Sequence, residues 1–230
     1  MDKKVAILWS GGLDSTYLIY KNLLEGNTVY AYYIEINNNI NKVIKEKEAM
    51  ESLTKLFIDK YGTAFDNRGT LVYIDVNTLY GNCLIFSQMP IWITALQFIG
   101  NVDEIQIGYC MNDDAISYLD DIKNIHHSFS SIKTKEIPIS FPLSKIKKEE
   151  ELNFLPEEYK KLIWYCENPI NNKPCHECCS CKRYNSIGFI PKYDKIEKDQ
   201  VKEQDVIKMS VNKQQTKSTK KKIVTKSKRS

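Results

Sequence analysis

Two stretches of this chain combine residue types and spacings that can do chemistry. The first is Ser10-Gly11-Gly12-Leu13-Asp14-Ser15-Thr16. Paired glycines let a backbone approach a ligand closely and take positive φ angles. The N–H groups of such a loop, with those of the following helix's first turn, form a concave anion site that the helix dipole reinforces. Ser10, Ser15 and Thr16 add hydroxyl donors, and Asp14 suits either a helix cap or a metal held against phosphates. The spacing is neither GxxxxGK(S/T) nor GxGxxG. The chemistry it predicts is phosphate binding.

The second stretch is Cys166-x8-Cys175-x2-Cys178-x2-Cys181. Four thiolates so spaced suit a tetrahedral zinc ion, with Zn–S bonds of about 2.3 Å. A closed four-thiolate site has no open position, so its role is structural. An iron–sulfur cluster is the alternative occupant. Cys179 is a spare thiol inside the cluster, and His176 offers a competing nitrogen. Lys173, Lys182 and Arg183 would moderate the charge of the thiolates. The cysteines number seven, an odd count that fits thiols or metal ligands in a reducing compartment better than disulfides. Cys83 and Cys110 stand alone and read as core thiols.

These stretches need elements to position them. Residues 4–10 read as a short buried strand stopped by two glycines, and residues 14–24 as a helix ending near Gly26. Residues 28–36 form a second strand and residues 42–61 a long amphipathic helix. Strands are also predicted at 70–76, 104–108 and 136–141, with helices at 90–99 and 115–129. Strands alternating with helices predict an α/β domain with a parallel sheet. Beyond Pro142 a charged run covers 145–158, a helix is expected at 159–165, and a short one at 182–187. The predicted organisation is an α/β domain at 1–145, a helical region with the cysteine site at 146–192, and a linker with a disordered basic tail at 193–230.

Charge narrows the function classes. The net charge is +4, yet residues 208–230 hold nine of the 33 basic residues and none of the 29 acidic ones. The first 207 residues therefore carry a net −5, which argues against nucleic acid as the main substrate. The tail suits weak nucleic-acid contact or solubilisation. A zinc-containing nucleic-acid-binding protein with a degenerate loop is the reading from another class. The short apolar run at 5–9 does not read as a secretory signal, and the most apolar window, 83–100, is broken by Ser87, Gln88, Pro90, Thr94 and Gln97. The expectation is a soluble cytoplasmic protein without a membrane segment. His126-His127 reads as a polar pair or a proton shuttle.

The loop is similar to the SGGxDS pattern of PP-loop ATP pyrophosphatases. Together with C-x8-C-x2-C-x2-C it resembles the 7-cyano-7-deazaguanine synthase family over residues 3–190. Gly26 to Tyr33 resembles the family's second strand, and Glu104 to Asn112 its strand ending in G-x-N. Ser117-Tyr118-Leu119-Asp120 resembles S-G-Y-P-D, and Pro142-Leu143 followed by Lys145 to Glu149 resembles P-L-x-x-x-x-K-x-E. The resemblance implies a parallel-sheet ATP-binding fold with ATP at Leu8, Trp9, Ser10, Gly11, Gly12, Leu13, Asp14, Ser15 and Thr16. It makes Ser10, Asp14 and Ser15 catalytic, assigns substrate contacts to Tyr118 and Asp120, and gives zinc to Cys166, Cys175, Cys178 and Cys181. It further implies magnesium with the ATP, a homodimer, and conversion of 7-carboxy-7-deazaguanine with ammonia to the amide and then the nitrile. Where the family carries Y-G-Q-R-H this chain reads Glu35-Ile36-Asn37-Asn38-Asn39, and where it carries V-P-G-R-N the chain reads Phe86-Ser87-Gln88-Met89-Pro90. The alternatives are an enzyme that stops at 7-amido-7-deazaguanine or uses another acceptor, and a tRNA thiolase of the same loop type.

Overall fold

Val5, Ala6 and Ile7 have no polar residue between them, and all three are fully buried. Such a run belongs to a strand covered on both faces. In the computed structural model this strand, β1 (Lys4–Leu8), is the middle of a five-stranded sheet. The structure describes residues 2–75, 89–132 and 136–189. Cys83, residues 86–88 and the basic tail with its nucleic-acid role lie outside the described residues. The chain divides into Met1–Gly188, which holds every element below, and Phe189–Ser230.

After β1 come α1 (Leu13–Leu24), β2 (Thr28–Ile36), α2 (Ile40–Tyr61) and β3 (Phe65–Ile74). The chain then places α3 (Met89–Leu96), β4 (Glu104–Gln106), α4 (Leu119–Ser130) and β5 (Ile139–Ser140). The sheet order is β3-β2-β1-β4-β5, and every pairing is parallel. The α/β class and the parallel sheet are those the alternation predicts. Beside α3 lies a core of Ala6, Ile93, Leu96, Ile99, Ile105 and Phe141. Elsewhere Trp9 packs edge-on against Phe65 with centroids 5.7 Å apart, and Phe57 lies 4.9 Å from both Phe65 and Tyr159.

Several elements depart from expectation for identifiable reasons. β3 begins five residues before the predicted Thr70, because Asp66-Asn67-Arg68-Gly69 has turn chemistry yet forms a bulge. Two register shifts against β2 absorb the extra residues, and the Asn67 side chain accepts the Gly69 N–H at 2.9 Å. The helix predicted at 115–129 starts as a 3-10 turn, Asp114–Tyr118, before α4. The charged run folds into α5 (Lys148–Phe154), where Glu150 accepts the Lys147 N–H at 3.1 Å in capping-box fashion. The helix expected at 159–165 is a single turn, α6 (Glu157–Lys160), since the backbone beyond it is used elsewhere. The last described helix, α7 (Cys179–Ser186), starts three residues earlier than predicted, with Cys178 as its cap. No helix among the described residues is long and apolar enough to cross a membrane.

Candidate functional site

The strand order fixes where a ligand can bind. β1 lies between β2 and β4, so the connections leaving β1 and β4 diverge at the carboxyl edge of the sheet. A crevice opens at such a switch point. Here it is a cleft of about 710 Å³, walled by the loop after β1 and the segment after β4. Leu8, Trp9, Ser10, Gly12, Asp14 and Ser15 line it, while Gly11, Leu13 and Thr16 are not part of its lining.

The loop's geometry follows from its glycines. Gly11 has φ +72°, and a Cβ there would lie 3.1 Å from the Ala49 Cβ and 3.2 Å from the Glu46 carbonyl oxygen. Only glycine lets the loop rest on α2 in that conformation. Gly12 is the N-cap of α1, and the Thr16 N–H donates to its carbonyl at 3.1 Å. No side chain caps the helix, so Asp14 is not the cap that its position allows. Thr16 is fully buried and accepts the Trp9 indole N–H at 3.1 Å, which locks the end of β1 to α1. On the β4 side, a Cβ at Gly108 would lie 3.2 Å from the Asp14 carbonyl carbon and the Ser15 nitrogen.

Asp14 instead pairs with Lys148 from α5, whose ammonium lies 2.9 Å from each carboxylate oxygen. Burial lowers the Lys148 ammonium, but Asp14 outweighs it and the net shift is upward. One helical turn on, Glu151 is wholly buried. No N–H or hydroxyl among the described residues reaches either of its oxygens; its neighbours are Asp14 and the Cys110 thiol. Burial, and next the Asp14 charge, push the Glu151 carboxyl up to about 10. Two carboxylates so placed need a proton or a cation between them. The oxygen pair suits a hard divalent ion. Burial and Asp14 also push the Cys110 thiol up to about 12, so it is a neutral core thiol beside the pair.

Asp113 and Arg183 close the same side. Arg183 donates to Asp113 at 2.5 Å, and Asp113 accepts the Cys110 backbone N–H at 2.8 Å. Arg183 thus serves the cleft wall, a use its place beside the cysteines does not announce. The other wall carries Lys42, Glu46 and Glu167. Lys42 lies 2.6 Å from Glu167, and Tyr33 donates to Glu46 at 2.6 Å. Burial, reinforced by Glu46, pushes the Tyr33 hydroxyl upward, so it stays a donor. Trp92 and Tyr109, with ring centroids 5.7 Å apart and planes tilted by 34°, add aromatic lining. Tyr118 lines the cleft, whereas the Asp120 side chain is 95% exposed and pairs with Lys123. His126 bonds the Ile137 carbonyl and Gln97, and His127 pairs with Glu136, on α4.

The four predicted cysteines converge, with all four sulfurs within 4.8 Å of one another. The Cys166–Cys175 and Cys175–Cys181 separations are 3.6 and 3.9 Å. A tetrahedral ion with bonds of about 2.3 Å needs edges of about 3.8 Å. A four-iron cube would hold its thiolates farther apart, since the cube lies between them. The N–H groups of Cys175, Cys178 and Cys181 point at the sulfurs of Cys166, Cys175 and Cys178, at 3.2 to 3.4 Å. Burial opposes ionisation of Cys175, yet the Glu177 and Cys178 N–H groups bring its thiol down to about 7. Positive φ at Asn171, Asn172 and His176 forms the tight turns. Cys179 is exposed and lines the cleft instead.

Of the site residues, Lys148, Glu151, Asp113, Arg183, Lys42 and Glu46 were not singled out by the sequence as a cleft. Two signals point to this wall: the K of the P-L-x-x-x-x-K-x-E pattern falls on Lys148, and the i, i+3 spacing of Lys148 and Glu151 puts both on one helix face.

No family model matches the chain, and no curated protein matches it. Among solved structures the chain is similar to the U34-tRNA thiolase NcsA from Methanococcus maripaludis with its 4Fe-4S cluster, at 20% identity and a TM-score of 0.44. The match covers 76% of this chain and spans 62% of that one.

Proposed function

We propose that the cleft binds ATP and that this chain is an adenylating enzyme of the PP-loop type. In this reading it activates the carboxylate of 7-carboxy-7-deazaguanine and uses ammonia to form the amide and then the nitrile. One arrangement carries the reading. The Gly11-Gly12 loop, the first-turn N–H groups of α1 and the Lys148 ammonium converge on the crevice between β1 and β4.

In the first step a substrate carboxylate oxygen attacks the α-phosphorus, and the bond to pyrophosphate breaks. The N–H groups of Asp14 and Ser15, the Ser10 and Ser15 hydroxyls and Lys148 face the charge that gathers on the pyrophosphate. Ammonia then attacks the acyl carbon, loses a proton, and AMP departs. With a second ATP the amide oxygen is adenylated. Nitrogen gives up two protons as the C–O bond to AMP breaks, leaving the nitrile. The chain's part is alignment of acceptor and phosphorus. The aromatic lining of Trp92 and Tyr109 offers a ring face to a planar heteroaromatic acceptor. Asp14 and Glu151 are the oxygen donors that would hold magnesium, which when bound neutralises phosphate oxygens. The four cysteines would hold zinc, which closes the knuckle without an open position.

A second reading, release of the amide or use of another acceptor, is favoured by the solvent-facing Asp120. Incubation with ATP, magnesium, ammonium and 7-carboxy-7-deazaguanine, followed by mass spectrometry, separates the readings. The nitrile supports the first, the amide alone selects the second, and neither product removes the substrate assignment.

A further inference from the structure

Among the described residues three cations line the cleft, Lys42, Lys148 and Arg183, and their surroundings differ. The Lys148 ammonium is shared by both Asp14 oxygens, and its side chain is 9% exposed. The Lys42 ammonium lies 2.6 Å from Glu167 and 3.7 Å from Glu46, with 13% of the side chain exposed. Both lysines are thus enclosed by carboxylates. The Arg183 side chain is 37% exposed. Its guanidinium donates to the Asp113 carboxylate and, at 3.4 Å, to the Asn112 carbonyl. Among the described residues those bonds take two of its five N–H donors. Cys179 and Ser180, on the preceding turn of α7, line the cleft beside it with small side chains. The glycine loop is close by. Asp113 accepts the Cys110 N–H, and the Cys110 sulfur lies within 4.8 Å of an Asp14 oxygen. Tyr184, the next residue of α7, holds its ring 5.3 Å from the Lys148 ammonium. Tyr109, whose ring meets Trp92, precedes Asp113 in the same segment after β4.

We infer that Arg183 is a specificity-determining residue, whose guanidinium receives the carboxylate of a planar aromatic acid and so sets a preference for the acid over its uncharged amide. This rests on the proposed function and adds the subsite of its acceptor. A guanidinium is a rigid planar fork that meets a carboxylate with two parallel N–H bonds, a match an ammonium cannot make. Asp113 does not bar the approach, because its charge is already met by Arg183 and by the Cys110 N–H. A carboxylate held at Arg183 has the aromatic lining on its own wall and the glycine loop across from it. An amide offers the same fork one oxygen and no charge, so it is held less strongly.

The test measures calorimetric affinities at neutral pH for two acid–amide pairs. One is 7-carboxy- and 7-amido-7-deazaguanine, and the other is indole-3-carboxylate and indole-3-carboxamide as simpler planar probes. Wild type, Arg183→Met and Arg183→Lys are compared, with melting curves reporting the fold and a non-hydrolysable ATP analogue reporting the glycine loop. A hydrogen bond to a charged group is worth about a tenfold change in affinity or more, so wild type is expected to prefer each acid by about tenfold. Arg183→Met is expected to lose that preference while amide and analogue affinities stay as in wild type. Arg183→Lys keeps a cation for Asp113 without the fork, and is expected to retain a preference of about threefold or less. A merely structural Arg183 would instead weaken acid and amide alike. The full preference in either folded variant, or a wild type without preference in either pair, overturns the assignment. If Arg183→Met does not fold, Arg183→Lys alone decides. Should wild type bind neither deazaguanine, the substrate reading fails, while the indole pair still decides Arg183.

Discussion

Replacing Lys148 by methionine keeps the aliphatic stem and removes only the ammonium. In the native site that ammonium lies 2.9 Å from both Asp14 oxygens, with the lysine side chain 9% and the aspartate side chain 22% exposed. Breaking a buried pair by deleting one member costs about 3–5 kcal/mol, because the other charge stays desolvated. Asp14 keeps some water, and Glu151 beside it is already neutral, so the lower part of that range applies. We predict a loss of about 2–3 kcal/mol, using a discount for partial exposure. For a unit of this size that is a fall of about 5–10 °C in Tm. Urea unfolding followed by tryptophan fluorescence at neutral pH measures it. The companion variant Asp14→Asn removes the stranded charge, so the double variant Lys148→Met/Asp14→Asn should recover at least about 1 kcal/mol relative to additivity. A loss under about 0.5 kcal/mol, or additive single effects, would show that the pair is solvated and that Lys148 does not hold Asp14 in a buried charge network.

Glu151→Gln addresses the carboxyl proton. The folded carboxyl is pushed up to about 10 from an ordinary 4.5, so between those values the folded chain holds a proton that the unfolded chain has released. The group's contribution is complete below about 4.5 and is lost as pH rises toward 10. The Tm of Glu151→Gln minus that of wild type should therefore increase from pH 6 to pH 9; parallel curves would refute the assignment. Gly108→Ala places a methyl 3.2 Å from backbone atoms of Asp14 and Ser15 that cannot step aside. It should cost about 1–3 kcal/mol and weaken nucleotide binding, and an unchanged melting curve would contradict the close approach.

The parts of the fold that were legible are those where one physical signal dominates. Val5-Ala6-Ile7 followed by paired glycines announces a buried strand and a loop, and β2 matches its predicted bounds, Thr28–Ile36. The cysteine spacing announces its own convergence, because a short metal-type knuckle leaves the thiols few other arrangements. The cleft wall was hidden because its charges are ordinary residues in a charged run. Lys147, Lys148, Glu149, Glu150 and Glu151 differ in role only through helix phase, which turns Lys148 and Glu151 inward and leaves Glu149 outside. The apolar residues around Trp164 predict a helix. The Trp164 backbone instead spends its N–H on Gly11, a tertiary bond that local pattern does not encode. Asp66 to Gly69 falls outside the predicted strand for the same reason, since pairing with β2 absorbs residues of turn chemistry into a bulge.

In the proposed reaction a substrate carboxylate attacks the α-phosphorus of ATP in this cleft. It is tested most directly with 7-carboxy-7-deazaguanine labelled with oxygen-18 in the carboxylate, incubated with ATP, magnesium and ammonium. AMP and pyrophosphate are the expected products from ATP, with one labelled oxygen transferred to the AMP phosphate. Formation of ADP, or of AMP without the label, would contradict it.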